Sequence, residues 1–259
     1  MRRLKQLLLH ILGEKRYLSL LAAAFQKIYP TGWLGKEYQD IYFLKKFIRK
    51  GDWCIDIGAH LGYFSLELSR LVTDSGRVFA VEPMSKFNKI LRRLLISHGI
   101  QNVEIYPVAL GGKSEYVEMG IPRVNYHKKF AYARVIASSP DLQYIESEKV
   151  KNESGDMLFK GLDRIDFIKC DVEGLEVPVF SSMLQVLRAH LPILLCEFFD
   201  ANEMIKLYEL LLPMGYQVFT LTDDKWQIFD VYANAAISSR NYYFIPPEPR
   251  ERLAHLFTY

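Results

Sequence analysis

The stretch Cys54-Ile-Asp-Ile-Gly-Ala-His-Leu-Gly-Tyr-Phe-Ser65 joins a short apolar run to two glycines four residues apart, and a helical pattern follows. Residues 53–57 read as a strand and 63–71 as a helix, so the glycines fall in a strand-to-helix turn. Such a turn lets a ligand approach the backbone, and the free N–H groups of the helix point at it. By itself it is a weak signal, because glycines in tight turns are often structural. Spacing narrows the reading. A dinucleotide fingerprint wants three glycines in G-x-G-x-x-G, and Gly58-Ala59-His60-Leu61-Gly62 lacks the third. Asp56 closes the strand two residues before Gly58, and a carboxylate there suits a cationic ligand group better than a diphosphate. S-adenosylmethionine carries an ammonium and a sulfonium, so it fits better than a nicotinamide dinucleotide.

Outward from the turn, strands alternate with helices. Strand patterns at 77–81, 103–108, 165–170 and 193–198 are separated by helical ones at 85–97, 177–189 and 204–212, and paired runs at 216–221 and 241–245 follow. That alternation predicts a Rossmann-like, doubly wound α/β fold with a mostly parallel sheet. Residues 1–50 read as a helical extension, a candidate lid, broken at Pro30-Thr31-Gly32. The domain proper spans 51–259, with an irregular insertion at about 111–163. Half of the 259 residues are apolar and the net charge is only +3, too near neutral to argue for nucleic acid. Cys54, Cys170 and Cys196 sit in apolar runs without metal spacing, which is the pattern of a reducing compartment and predicts a cytoplasmic protein. No run reaches the ~18 apolar residues of a membrane span. Residues 1–16 are basic and amphipathic. They read as a helix packed on the domain, with peripheral membrane contact as the alternative.

Two more stretches carry chemistry. The run Gly-Arg-Val-Phe-Ala-Val-Glu82-Pro83 places an acid at the second strand end, where it can accept both hydroxyls of a ribose. In Ile165-Asp-Phe-Ile-Lys-Cys-Asp171-Val-Glu173-Gly-Leu-Glu176, acids crowd the end of the fourth strand, on the sheet edge where such folds bind ligands. Glu176 suits the start of the next helix. Asp171 belongs to the strand end and has no such explanation.

In that order, DIGAHLGYFS, VEP, NVEIYPVALG, DFIKCDVEGLE and PILLCEF resemble the FkbM family of S-adenosylmethionine-dependent methyltransferases over about 51–245. The resemblance implies a class I fold with seven strands, the last antiparallel, and methyl transfer to a hydroxyl oxygen of a sugar, glycan or natural product. It assigns Asp56, Gly58 and Gly62 to the cofactor turn, with Gly58 against the methionine part. His60 stands where the family usually has Asn. Glu82 would hold the ribose, Pro83 and Met84 would border the adenine, and Ala109 would face its edge. Asp171 would lie nearest the methyl group. A poorly nucleophilic hydroxyl needs a base or a metal, so Asp171 and then Glu173 are the candidate bases. Asp171 with Glu197, at neighbouring strand ends, is a candidate site for a divalent cation such as Mg²⁺. In the insertion, Tyr126 and His127 are candidate contacts to a small-molecule or glycan acceptor. Competing classes are a nicotinamide-dependent oxidoreductase and a non-catalytic adenosyl-binding module.

Overall fold

The computed structural model describes residues 2–33, 35–112, 114–124, 127–128, 130–233 and 241–258. The chain opens with α1 (Arg2–Ile28), kinked at Gly13, whose φ of 69° and ψ of 161° are not helical. Leu18, Ala22 and Phe25 recur at helical spacing as its buried stripe, which Tyr29 in the following 3-10 turn continues. After α2 (Gln39–Phe43) come β1 (Trp53–Ile57), α3 (Tyr63–Val72), β2 (Arg77–Val81), α4 (Ser85–Ser97) and β3 (Val103–Tyr106). The insertion contributes β4 (Ala109–Leu110), β5 (Tyr116–Val124), β6 (His127–Lys128), β7 (Arg134–Val135) and β8 (Tyr144–Glu153). Then follow α5 (Gly155–Leu158), β9 (Phe167–Cys170), α6 (Glu176–Ser181), α7 (Leu184–His190), β10 (Ile193–Glu197) and α8 (Ala201–Leu211). The chain finishes with β11 (Gln217–Thr222), β12 (Lys225–Ile228), β13 (Asn241–Ile245), α9 (Pro247–Arg252) and β14 (Phe257–Thr258).

The main sheet runs β14-β12-β11-β13-β10-β9-β1-β2-β3. Strands β10, β9, β1, β2 and β3 are parallel neighbours, and β13 is antiparallel to both β10 and β11. The seven expected strands are present, but the sheet has nine among the described residues, which corrects the count. Both extra strands lie at one edge. Thr222 pairs with Lys225, so Asp223 and Asp224 alone make the turn into β12. Their φ values of 48° and 62° are those of a two-residue hairpin turn, normally signalled by glycine. Trp226 on β12 is fully buried, and β14 pairs alongside it.

The insertion is likewise more regular than expected. Strands β5 and β8 pair antiparallel from Tyr116↔Lys151 to Ile121↔Glu146, where the register shifts before Pro122. Met119, Ile121 and Val150 face inward, while Glu118, Lys149 and Lys151 are exposed. The inward residues join Tyr17 and Leu18 of α1 and Phe87, Ile90 and Leu91 of α4 in one apolar cluster. Insertion and N-terminal helix thus share a core that flanks the parallel sheet. Cys54, Cys170 and Cys196 are free and buried. Among the described residues no helix is long and apolar enough to cross a membrane.

Candidate active site at the carboxyl ends of β1, β2 and β9

The turn after β1 is shaped first by the protein itself. Gly58 has φ 78°, and a Cβ there would lie 2.0 Å from the backbone oxygen of Asp171. Glycine is therefore demanded by the neighbouring strand end, and Gly58 also lines the cleft. Gly62, with φ 83°, begins α3, where a Cβ would meet Leu91 Cδ1 at 2.3 Å. It packs helix against helix and does not line the cleft. Asp56 is buried. Its Oδ2 accepts from Ser65 Oγ at 2.5 Å, while Oδ1 has no hydrogen-bond partner among the described residues. Burial raises the Asp56 pKa, opposed by the Lys169 ammonium 3.9 Å from Oδ1.

His60 is held at φ 50° and donates its backbone N–H to Glu82 Oε2 at 2.8 Å. Its ring lies 4.2 Å from that of Phe87, and burial lowers its pKa to about 4. The imidazole is therefore neutral, and its buried Nε2 also lacks a described partner. Glu82 Oε1 accepts from the Met84 N–H at 2.8 Å. Burial pushes Glu82 up to about 7 against the pull of these two N–H groups. Each carboxylate oxygen keeps a second acceptor site. These groups face a cavity of about 230 Å³, also lined by Pro83 and Ala109 and, from the insertion, by Met119, Phe130 and Val135.

Beyond β9 the chain turns sharply at Glu173, φ 60°. Glu176 Oε1 accepts from the N–H groups of Val172 and Gly174, so it braces this turn. Arg134, from β7, donates to Glu173 Oε2 at 2.6 Å. Burial raises Glu173 to about 8, Asp171 adds to the rise and Arg134 opposes it. Carboxylate oxygens of Asp171, Glu173 and Glu197 lie within 4.8 Å of one another, close enough to share an ion or a proton.

Lys169 joins the parts. Its Nζ is 3.2 Å from Asp171 Oδ2 and 5.2 Å from the centre of the Phe64 ring. Burial lowers its pKa, but Asp171 and Asp56 more than offset this, so it stays a cation. A second cavity, of about 180 Å³, lies on its far side and is lined by Tyr38, Asp40, Asp171, Glu197 and Asn241. Lys169, Asp171 and Phe64 border both cavities. Sequence reasoning did not place Lys169 or Asp40 in the site. The available signal was a lysine inside an otherwise apolar parallel strand, a position lysine rarely takes unless paired. His127 lies in β6 opposite Val124. Tyr126 falls outside the described residues.

The model of the FkbM methyltransferase domain matches residues 56–218, from the first strand end to β11. The chain belongs to the FkbM methyltransferase family. That family is one of S-adenosylmethionine-dependent methyltransferases. The fold is also similar to a solved FkbM methyltransferase from Methylobacillus flagellatus, with TM-score 0.48 and 18% identity over 74% of this chain and 43% of that one. An S-adenosylmethionine-dependent O-methyltransferase from Thermotoga maritima gives TM-score 0.44 and 16% identity over 80% and 63%. A methyltransferase from Aquifex aeolicus gives 0.43 and 13% over 78% and 86%. The chain thus spans less than two thirds of the length of the first two. No curated protein matches it.

Proposed function

We propose that the protein transfers a methyl group from S-adenosylmethionine to a hydroxyl oxygen of an acceptor seated in the second cavity. One observation carries this reading: Lys169 and Asp171 form the partition between two cavities, each with its own polar groups. The donor side fits the cofactor. Asp56 Oδ1 is buried, accepts no hydrogen bond among the described residues and has the Lys169 ammonium no nearer than 3.9 Å. It therefore keeps acceptor capacity for an ammonium, and Glu82 keeps it for two ribose hydroxyls. Pro83 and Ala109 supply apolar borders for the adenine.

When bound, the cofactor supplies a methyl group made electrophilic by its sulfonium. The chain's own task is to align an acceptor oxygen and take its proton. Asp171 is the carboxylate placed for this, because it alone of the clustered acids borders both cavities. Lys169 stabilises negative charge developing on the acceptor oxygen and holds Asp171 in position. Glu173, raised to about 8, is mostly protonated near neutral pH and adds little charge beside Asp171, which leaves Asp171 as the group that accepts the proton. A divalent cation on Asp171, Glu173 and Glu197 is the second version, favoured by the spacing of these oxygens. Lys169 and Arg134 already place two cations against Asp171 and Glu173, which favours the metal-free version.

The test uses methyl-¹³C-labelled S-adenosylmethionine and extracts of cells lacking the protein, with carbon NMR of the product. An O-methyl resonance dependent on the protein is expected. A resonance in the N-, S- or C-methyl range would overturn the oxygen assignment.

A further inference from the structure

Helix α1 is apolar on two faces. Leu18, Ala22, Phe25 and Tyr29 pack onto the domain, but Leu20, Ala24 and Ile28, spaced i, i+4, i+8, make a second stripe, with Leu21 beside it. Leu20, Leu21 and Ile28 are 52%, 41% and 42% exposed, and Trp33, just past the helix, is 88% exposed. A surface helix needs only one apolar face to fold against its core. The second stripe is not accounted for by the fold.

Its charge identifies the occupant. Lys15, Arg16 and Lys27 are exposed in the same helix, and its single acid between residues 14 and 33, Glu14, is taken up by Lys86. Cations beside an outward Leu and Ile stripe, ending in an exposed tryptophan, are the composition of a helix that lies in a lipid interface. A tryptophan places its ring at the headgroup level. We propose that the outer face of residues 15–33 docks on the surface of an anionic phospholipid bilayer. A tight dimer through the same face would instead concentrate Arg16 and Lys27 of two copies against one another. Docking here bears on the site. Phe25, from the buried stripe, packs its ring 5.4 Å from that of Tyr38, a wall of the second cavity. That wall would then stand about one helix diameter, ~10 Å, from the lipid.

The experiment is co-sedimentation of the full chain with phosphatidylglycerol-rich or pure phosphatidylcholine vesicles, followed also by tryptophan fluorescence. Binding to the anionic vesicles is expected to be at least ~10-fold tighter and to weaken as salt is added. A blue shift on binding should vanish in Trp33→Phe, since Trp226 is fully buried and Trp53 is half-buried in the sheet under the Arg77 guanidinium. The double variant Leu20→Glu with Ile28→Glu should lose vesicle binding while keeping its melting temperature and its response to added S-adenosylmethionine. Three results would overturn the proposal: no binding to either vesicle, unchanged binding by the double variant, or a concentration-dependent dimer in light scattering that this variant abolishes.

Discussion

Gly58 and Asp171 are locked backbone to backbone: a Cβ on the first would lie 2.0 Å from the carbonyl oxygen of the second. The pairing of β1 with β9 brings them together, since Ile57 stands opposite Cys170 and the Asp171 N–H donates to Ile57 O at 3.1 Å. The glycine turn after β1 and the acidic strand end are therefore one rigid unit, and a change in either moves both.

Gly58→Ala tests that unit. The left-handed conformation alone costs ~1–2 kcal/mol with a side chain, and forcing a methyl into the packed junction adds ~1–3 kcal/mol. A lower melting temperature is expected together with weakened cofactor binding, because Asp171 must shift. Calorimetric unfolding with and without S-adenosylmethionine checks both. Full stability in this variant would show that the two strand ends are not in contact.

Asp171→Asn should lower turnover by roughly 10²–10⁴-fold while cofactor affinity is retained. Lys169→Met should lower it as well, and added Mg²⁺ should not restore it. Assays of S-adenosylhomocysteine release, repeated in excess EDTA, decide between the two versions of the site. Activity lost in EDTA and recovered with Mg²⁺ would establish the metal version and remove Lys169 as the compensating cation.

A pH series isolates Glu173. Its folded pKa, about 8, lies above the ordinary 4.5, so its contribution to stability is complete below about 4.5 and is lost as pH rises through about 8. The melting temperature of the wild type should therefore fall more steeply across that interval than that of Glu173→Gln. His60 acts in the opposite sense. Its pKa is lowered to about 4, so stability from it is lost as pH falls below about 6.5. Comparing the two proteins at each pH cancels that term. Parallel curves would mean that Glu173 is ionised throughout.

Much of the parallel core is legible from the sequence, because Ile55, Ile57, Phe79, Val81, Phe167 and Ile168 are buried by helices on both faces and read as continuous apolar runs. The acid at Glu82 is legible for the same reason, as a break where the apolar run ends. Less visible was β8: its outward Glu and Lys residues mask a period of two, and only Val150 on that strand is fully buried. The β11–β12 hairpin was hidden by its Asp223-Asp224 turn, where the usual glycine signal is missing. For Gly58, sequence reasoning identified the need for a glycine but not the close approach of Asp171, since that contact depends on β9, more than a hundred residues away. Lys169 shows its role only once the strands are assembled, with Asp56 on one side and Asp171 on the other.

The most direct measurement for the methyltransferase reading is calorimetric titration of S-adenosylmethionine into the wild type and Glu82→Ala, with circular dichroism of both. Glu82 would accept charge-assisted hydrogen bonds from the ribose, each worth ~1.5–3 kcal/mol. One site per chain is expected in the wild type, with affinity falling at least ~10-fold in a variant that keeps its secondary structure. An equal dissociation constant in the folded variant, or no binding by the wild type, would contradict the account.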